Sequence, residues 1–155
     1  MGLLIGPTPW WQQNVITVSP VGTILPDRSA IICKAGGTAW IVAPASTQVG
    51  QTWTNGAFSN VGNKPCVCDW TTLCARMISC GFNPGDWFVP SSAQLQNPGC
   101  VCRTRWDSFS ATFYWSATQV NNTNGCIVSF TGSGVSCVNN KGYICCVRAF
   151  RCVTY

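Results

Sequence analysis

From residue 114 onward the chain is cut into short runs of β-branched and aromatic residues, YWSAT, GCIVSF, GVSCV and YICCVRAFRCV, punctuated by NNTNG and VNNKG. Asn and Gly supply the turn conformations that link short strands, so this pattern predicts an antiparallel meander. The same pattern occurs earlier in the chain. Residues 30–34 (AIICK) and 39–43 (AWIVA) flank AGG, whose glycines provide the positive φ values of a tight hairpin turn. NVITV, within residues 1–22, also suggests a short strand. Residues 44–64, rich in Thr, Asn, Gly, Ser and Gln, read as a long loop pinned by Trp53 and Phe58.

Two helical signals lie between the groups of strands. Asp69 is placed to cap a helix whose apolar positions Trp70, Leu73, Cys74, Met77 and Ile78 follow the spacing of one buried face, and Gly81 ends it. In GDWFVPSSAQL, Ser91 and Gln94 have the spacing of a capping box, and Pro98 limits the helix to a turn or two. Trp87 and Phe88 supply bulk to anchor that segment. Strands, two short helices and then more strands predict an α+β domain with antiparallel sheets. Residues 23–155 form that domain, and residues 1–22, rich in Pro, Gly and aromatics, read as an arm.

Composition narrows the function. The 155 residues carry a net charge of +5, but the nine basic residues are scattered rather than clustered, which argues against a nucleic-acid partner. Only 8% of residues are charged, so the surface is polar chiefly through amides, hydroxyls and backbone. No apolar run reaches the ~20 residues of a membrane span, and the first residues show no export signal. The chain has no histidine and no glutamate; its carboxylates are Asp27, Asp69, Asp86 and Asp107. Acid–base hydrolysis has little to work with. Twelve cysteines include the C-x-C pairs Cys66/Cys68 and Cys100/Cys102 and the adjacent Cys145/Cys146, but no C-x-x-C, so neither a metal site nor any other cofactor is expected. Their redox state is open, and burial as small hydrophobes is the simplest reading, above all for Cys74.

The succession AWIVAP, GDWFVPSSAQL, YWSAT, GCIVSFTGSGV with Lys141, and VRAFR resembles a bacterial and phage branch of the C-type lectin fold, over about residues 23–155. The residues that carry the resemblance are Asp86, Trp87, Pro90, Ser91, Leu95, Tyr114, Trp115, Ser116, Arg148 and Arg151. Gln94 stands where that branch has Glu, and Ala117 where it has a second Ser. The resemblance implies a C-type-lectin-like fold with structural roles for the matching positions. In a regular strand Arg148 and Arg151 would face opposite ways, which predicts that one points inward, to Asp86 or to backbone carbonyls.

Calcium-dependent sugar binding lacks its carboxylates and signature sequences here. Contact is expected instead from loops that carry Trp106, Asn121, Asn122, Asn124, Asn139, Asn140 and Lys141; the same asparagines also suit hairpin turns. Phage proteins of this resemblance group occur on virion surfaces, so it implies a non-enzymatic adhesion module on a particle, at a fibre tip or as a capsid appendage. Its partners would be a host-surface glycan or protein and, through Trp10 and Trp11 in the arm, other virion proteins, with a homo-oligomer expected. A purely structural decoration or cement protein is the alternative, and a formylglycine-generating type of oxidase, which shares the architecture, is a more distant one.

Overall fold

The computed structural model describes residues 10–56 and 58–155; the side chains of residues 10–13 lie outside the description. Strands β1 (Ala30–Ala35), β2 (Thr38–Val42) and β8 (Phe150–Thr154) form an antiparallel sheet in the order β1-β2-β8. A second sheet has the order β3-β7-β4-β5-β6, from β3 (Val49–Gln51), β4 (Phe113–Gln119), β5 (Asn124–Ser129), β6 (Ser136–Asn140) and β7 (Cys145–Val147). The described helices are α1 (Trp10–Val18), α2 (Thr71–Ser79) and the single turn α3 (Ser92–Gln94). The architecture is a mixture of α and β structure compatible with the α+β class.

The predicted hairpin is present as β1–β2, and Gly36 and Gly37, both at positive φ, make its two-residue turn. The capping box is also present: Gln94 N donates to Ser91 Oγ, and Ser91 N donates to Gln94 Oε1 at 2.9 Å. A wide turn over Leu95–Cys100 that contains Pro98 follows α3 and takes the place of further α-helix.

Four expectations are corrected. The larger sheet is mixed, because β7 runs parallel to β4 with Tyr114 opposite Cys146. The polar β6 stays at the sheet edge, whereas Cys145 and Val147 of β7 are buried; seating the apolar strand between β3 and β4 requires the chain to cross over instead of turning back beside β6. The YICCVRAFRCV run is not one strand: it leaves the larger sheet at Val147 and enters the smaller one at Phe150. NVITV is helical, within α1, which makes three helices where two were expected. Lys34 Nζ donates to the Ile16 and Ser19 carbonyls, satisfying the helix's C-terminal end, and Ile16 is buried.

Finally, Asp69 does not cap α2. It closes a preceding 3₁₀ turn, and the N-terminal amide donors of α2 go instead to distant side chains: Leu73 N to Gln51 Oε1 and Thr72 N to Asn55 Oδ1. The predicted stripe is buried at Trp70, Leu73 and Met77, with Cys74 half-buried against the core, while Ile78 is exposed. Gly81 terminates the helix at φ +88°.

Neighbouring residues of a strand face opposite ways, and Tyr114 and Trp115 of β4 accordingly enter different core clusters. Trp115 packs with Trp53, Trp70, Leu73 and Met77; Tyr114 packs with Phe88, Trp106, Phe130 and Phe150. Each large side chain buried in this way contributes about 1.5–3 kcal/mol relative to exposure.

Candidate functional site

The residues of the quoted motifs hold the two sheets together. Trp87 and Leu95 are buried, Pro90 O accepts from Ala117 N at 2.7 Å, and Ser116 Oγ donates to Cys126 O at 2.8 Å. Arg148, only 2% exposed, sits where the chain passes from β7 to β8. Its guanidinium donates to Ala43 O (2.7 Å), Gln48 Oε1 (2.8 Å), Ser108 O (2.8 Å) and Asp107 Oδ1. The inward arginine and its carbonyl partners match expectation, but its carboxylate is Asp107 and not Asp86. Asp86 is exposed at the end of a 3₁₀ turn, whereas residues 107 and 108 lie beside the sheet crossover. Arg151 is half-buried in β8. Burial lowers the Arg148 pKa, and Asp107 opposes that shift. Gln48 Oε1 also accepts from the Tyr114 hydroxyl, which in turn accepts from Ser110 N. Every group in this cluster has a structural partner.

The asparagines occupy a different place. Asn124 pairs with Asn140, and the position next to each pairs as Gly125 with Asn139, so β5 and β6 bring Asn124, Asn139 and Asn140 to one end of the larger sheet. The 121–124 turn joins them: Val120 N and Asn121 N both donate to Asn124 O, and Lys141 N donates to Thr123 O at 2.8 Å. Asn121 Oδ1 accepts from Thr123 N and Asn124 N, Asn139 Oδ1 from Asn140 N, and Asn140 Oδ1 from Gly142 N. Turn formation thus occupies those three amide oxygens. Among the described residues, the side chains of Asn122 and Asn124 make no such bond, and Asn122 is exposed.

Lys141 and Trp106 do not join this surface. Lys141 is buried, its Nζ donating to Ser59 O (3.1 Å) and Gln119 Oε1 (2.9 Å) and standing 4.5 Å from the centre of the Trp53 ring. Burial lowers its pKa. Its side chain braces the end of the sheet from below, since an ammonium with three donors needs fixed acceptors when buried. Trp106 is packed edge-on against Tyr114, Phe130 and Phe150, with ring centres 5.1–5.6 Å apart, so no broad face is turned outward for stacking. The side chains of Trp10 and Trp11, the expected anchors, lie outside the described residues.

Two exposed aromatics take the place of Trp106. Phe58 is 50% and Tyr143 62% exposed, and a Cβ placed on Gly142 would meet the Phe58 ring at 3.2 Å. Tyr143 N donates to Asn140 O, and Trp115 Nε1 donates to Tyr143 O at 3.3 Å, so the exposed ring stands on backbone tied to the core. In the sequence Phe58 reads as a loop pin and Tyr143 as the start of a strand. The VNNKG run before Tyr143 is the signal for a turn there.

No family model matches the chain, and no curated protein matches it in sequence.

None of the twelve cysteines is paired in a disulfide in this structure. No group of three or more Cys or Asp side chains among the described residues is arranged to hold a metal ion. Burial pushes the Cys152 thiol up to about 12 and Cys145 up to about 11, from 9.0. The folded state therefore keeps protons that the unfolded chain releases, so these groups contribute stability that is complete below about pH 9 and is lost as pH rises through those values. Each is expected to reduce stability by up to about 1.4 kcal/mol per pH unit in that window. Lys141, with its pKa lowered by burial, acts in the opposite direction as it loses its proton. Urea unfolding across the alkaline range checks this: Cys152→Val should flatten the decline, and an equally steep decline in that variant would refute the assignment.

Proposed function

We propose that this chain is a non-enzymatic surface-display module of a virion, with a C-type-lectin-like fold that offers the asparagine end of its larger sheet to a host-surface glycan or protein. The observation that carries the reading is that the exposed Asn122, in a turn bonded to Lys141 N, lies at the end of the sheet where Phe58 stands beside Gly142 and Tyr143 is exposed, on a backbone braced by Trp53, Trp115 and Lys141. Amides and aromatic faces on a rigid support are the groups with which a protein grips a polar, uncharged ligand such as a sugar ring. The motif residues Trp87, Leu95, Tyr114, Trp115, Ser116 and Arg148 are all buried, which supports a structural role for the pattern behind the lectin resemblance. No helix among the described residues is long and apolar enough to cross a membrane.

Self-association suits the other side of this hairpin. β6 is an edge strand without a charged residue; Val138 is exposed on it, and Val135 just before it. Open edges of this kind accept a second strand. The anchoring role proposed for Trp10 and Trp11 toward other virion proteins rests on their aromatic character.

Purified protein is expected to bind isolated host envelopes or their glycans, with Tyr143→Ala and Phe58→Ala each weakening binding about tenfold. Surface plasmon resonance on immobilised envelope glycans measures this. Binding to assembled particles but not to envelopes would replace the adhesion reading with a cement role.

A further inference from the structure

A cleft of about 420 Å³ lies away from the asparagine end and shares no residue with it; Gly22, Ile24, Arg28, Thr104, Arg105, Trp106 and Asp107 line it. Three of its features need explanation. Arg28 is exposed; its backbone, at φ +75°, closes a turn in which Arg28 N donates to Leu25 O and Leu25 N to Ser29 O, and its guanidinium makes no hydrogen bond or ion pair among the described residues. Arg105 spends one nitrogen, Nη1, on Ile32 O (3.3 Å) and Cys102 Sγ (3.8 Å) and leaves its remaining donors unused. The third feature is Trp106, 5% exposed, whose buried Nε1 has no hydrogen-bond partner.

The one carboxylate in the lining does not answer these donors. Asp107 Oδ1 is taken by Arg148 and Oδ2 by Ala45 N (2.8 Å), so its charge is already met from the core side. The cleft thus combines two exposed guanidiniums with spare donors, a neutralised acid and a lining tryptophan whose buried indole N–H is unsatisfied. Guanidinium forks match the paired oxygens of carboxylates and phosphates. Buried donors without partners are rare in folded proteins, and one that belongs to a residue of the cleft wall, next to two cations, calls for an acceptor oxygen.

We propose that this cleft binds an oxyanion, a carboxylate- or phosphate-bearing group held by Arg28 and Arg105 against Trp106. The site stands independently of the adhesion reading, since its residues and its ligand chemistry are both different.

Inorganic phosphate and glucuronate, titrated separately at low ionic strength, serve as probes. Isothermal calorimetry reads the affinity, and two-dimensional NMR reads the eight indole N–H signals, that of Trp106 being the one missing from Trp106→Phe. Saturable binding of at least one probe is expected, together with displacement of the Trp106 indole signal. Arg28→Gly, which suits the positive φ, and Arg105→Ala should each weaken binding about tenfold or more. Arg76→Ala, which removes an exposed cation elsewhere, should leave it unchanged. Preference for phosphate or for glucuronate tells which kind of group the site is built for. No saturation below about 50 mM, which is weaker than any useful site, a stationary Trp106 signal, or equal affinity in Arg28→Gly and Arg76→Ala would overturn the proposal. Glycan binding at the asparagine end is unaffected by Arg28→Gly, so either site can fail without the other.

Discussion

Arg148→Met is expected to lower the unfolding free energy by about 3–5 kcal/mol, the usual result of deleting one partner of a buried ion pair. Methionine matches the length of the arginine stem but takes a donor from four acceptors at once: the carbonyls of Ala43 and Ser108, Gln48 Oε1, which keeps the Tyr114 hydroxyl, and the Asp107 carboxylate, which keeps Ala45 N. Asp107 is the costly one, with its side chain only 13% exposed. The double variant Arg148→Met/Asp107→Leu should recover part of the loss, because the orphaned charge is then gone. Urea unfolding midpoints measure both, and a loss under about 1 kcal/mol in the single variant would show the network to be no stronger than a surface pair.

Gly125→Ala is the second large effect, expected at about 1–3 kcal/mol from overpacking. A Cβ at this position in β5 would lie 2.8 Å from Trp53 Cδ1, 2.9 Å from Trp53 Nε1 and 3.2 Å from Trp115 Cζ3. Neither indole can give way easily, since both are buried and Trp53 Nε1 donates to Ser116 O. Displacing Trp53 also disturbs the ring over which Lys141 stands, so ligand binding at the asparagine end should weaken along with stability. Gly132→Ala, where nothing lies within 4 Å, is the matched control and should stay within about 0.5 kcal/mol of the parent protein. Thermal unfolding of the two variants side by side decides the matter; equal melting temperatures would mean that the indoles reposition freely.

What the sequence reveals of this fold is what short-range chemistry decides. The Ser91–Gln94 box and the Gly36-Gly37 hairpin each need only a few neighbouring residues, and both form as the spacing predicts. Asp69 has the right chemistry for a cap, yet Gln51, far away in the chain, supplies the acceptor for α2. The same holds for Arg148: the inward direction is implied by the short strand pattern, whereas the choice of Asp107 over Asp86 depends on which loop reaches the crossover. Loop composition alone does not separate Asn122, which is exposed, from Lys141, whose backbone in the neighbouring turn donates to Thr123 O while its side chain is buried. Trp106 is hidden for a similar reason, since three aromatics from β4, β8 and the 130 region close around it. The oxyanion cleft left no sequence signal, because Arg28 and Arg105 meet only once the tertiary structure has formed.

The passage of the chain through Arg148 from one sheet to the other bears on how the molecule assembles. β7 and β8 pair with β3 and β2, and Arg148 bonds Ala43 across 105 residues of chain, so both halves of the body wait for the same late segment. Topologies dominated by such distant pairings fold in roughly milliseconds to seconds. Until that segment docks, Cys145 and Cys152, which the folded protein buries, remain open to oxidants, and a premature cross-link there would hold the chain half-made. Reducing conditions during synthesis therefore protect the docking of the segment that runs from one sheet into the other.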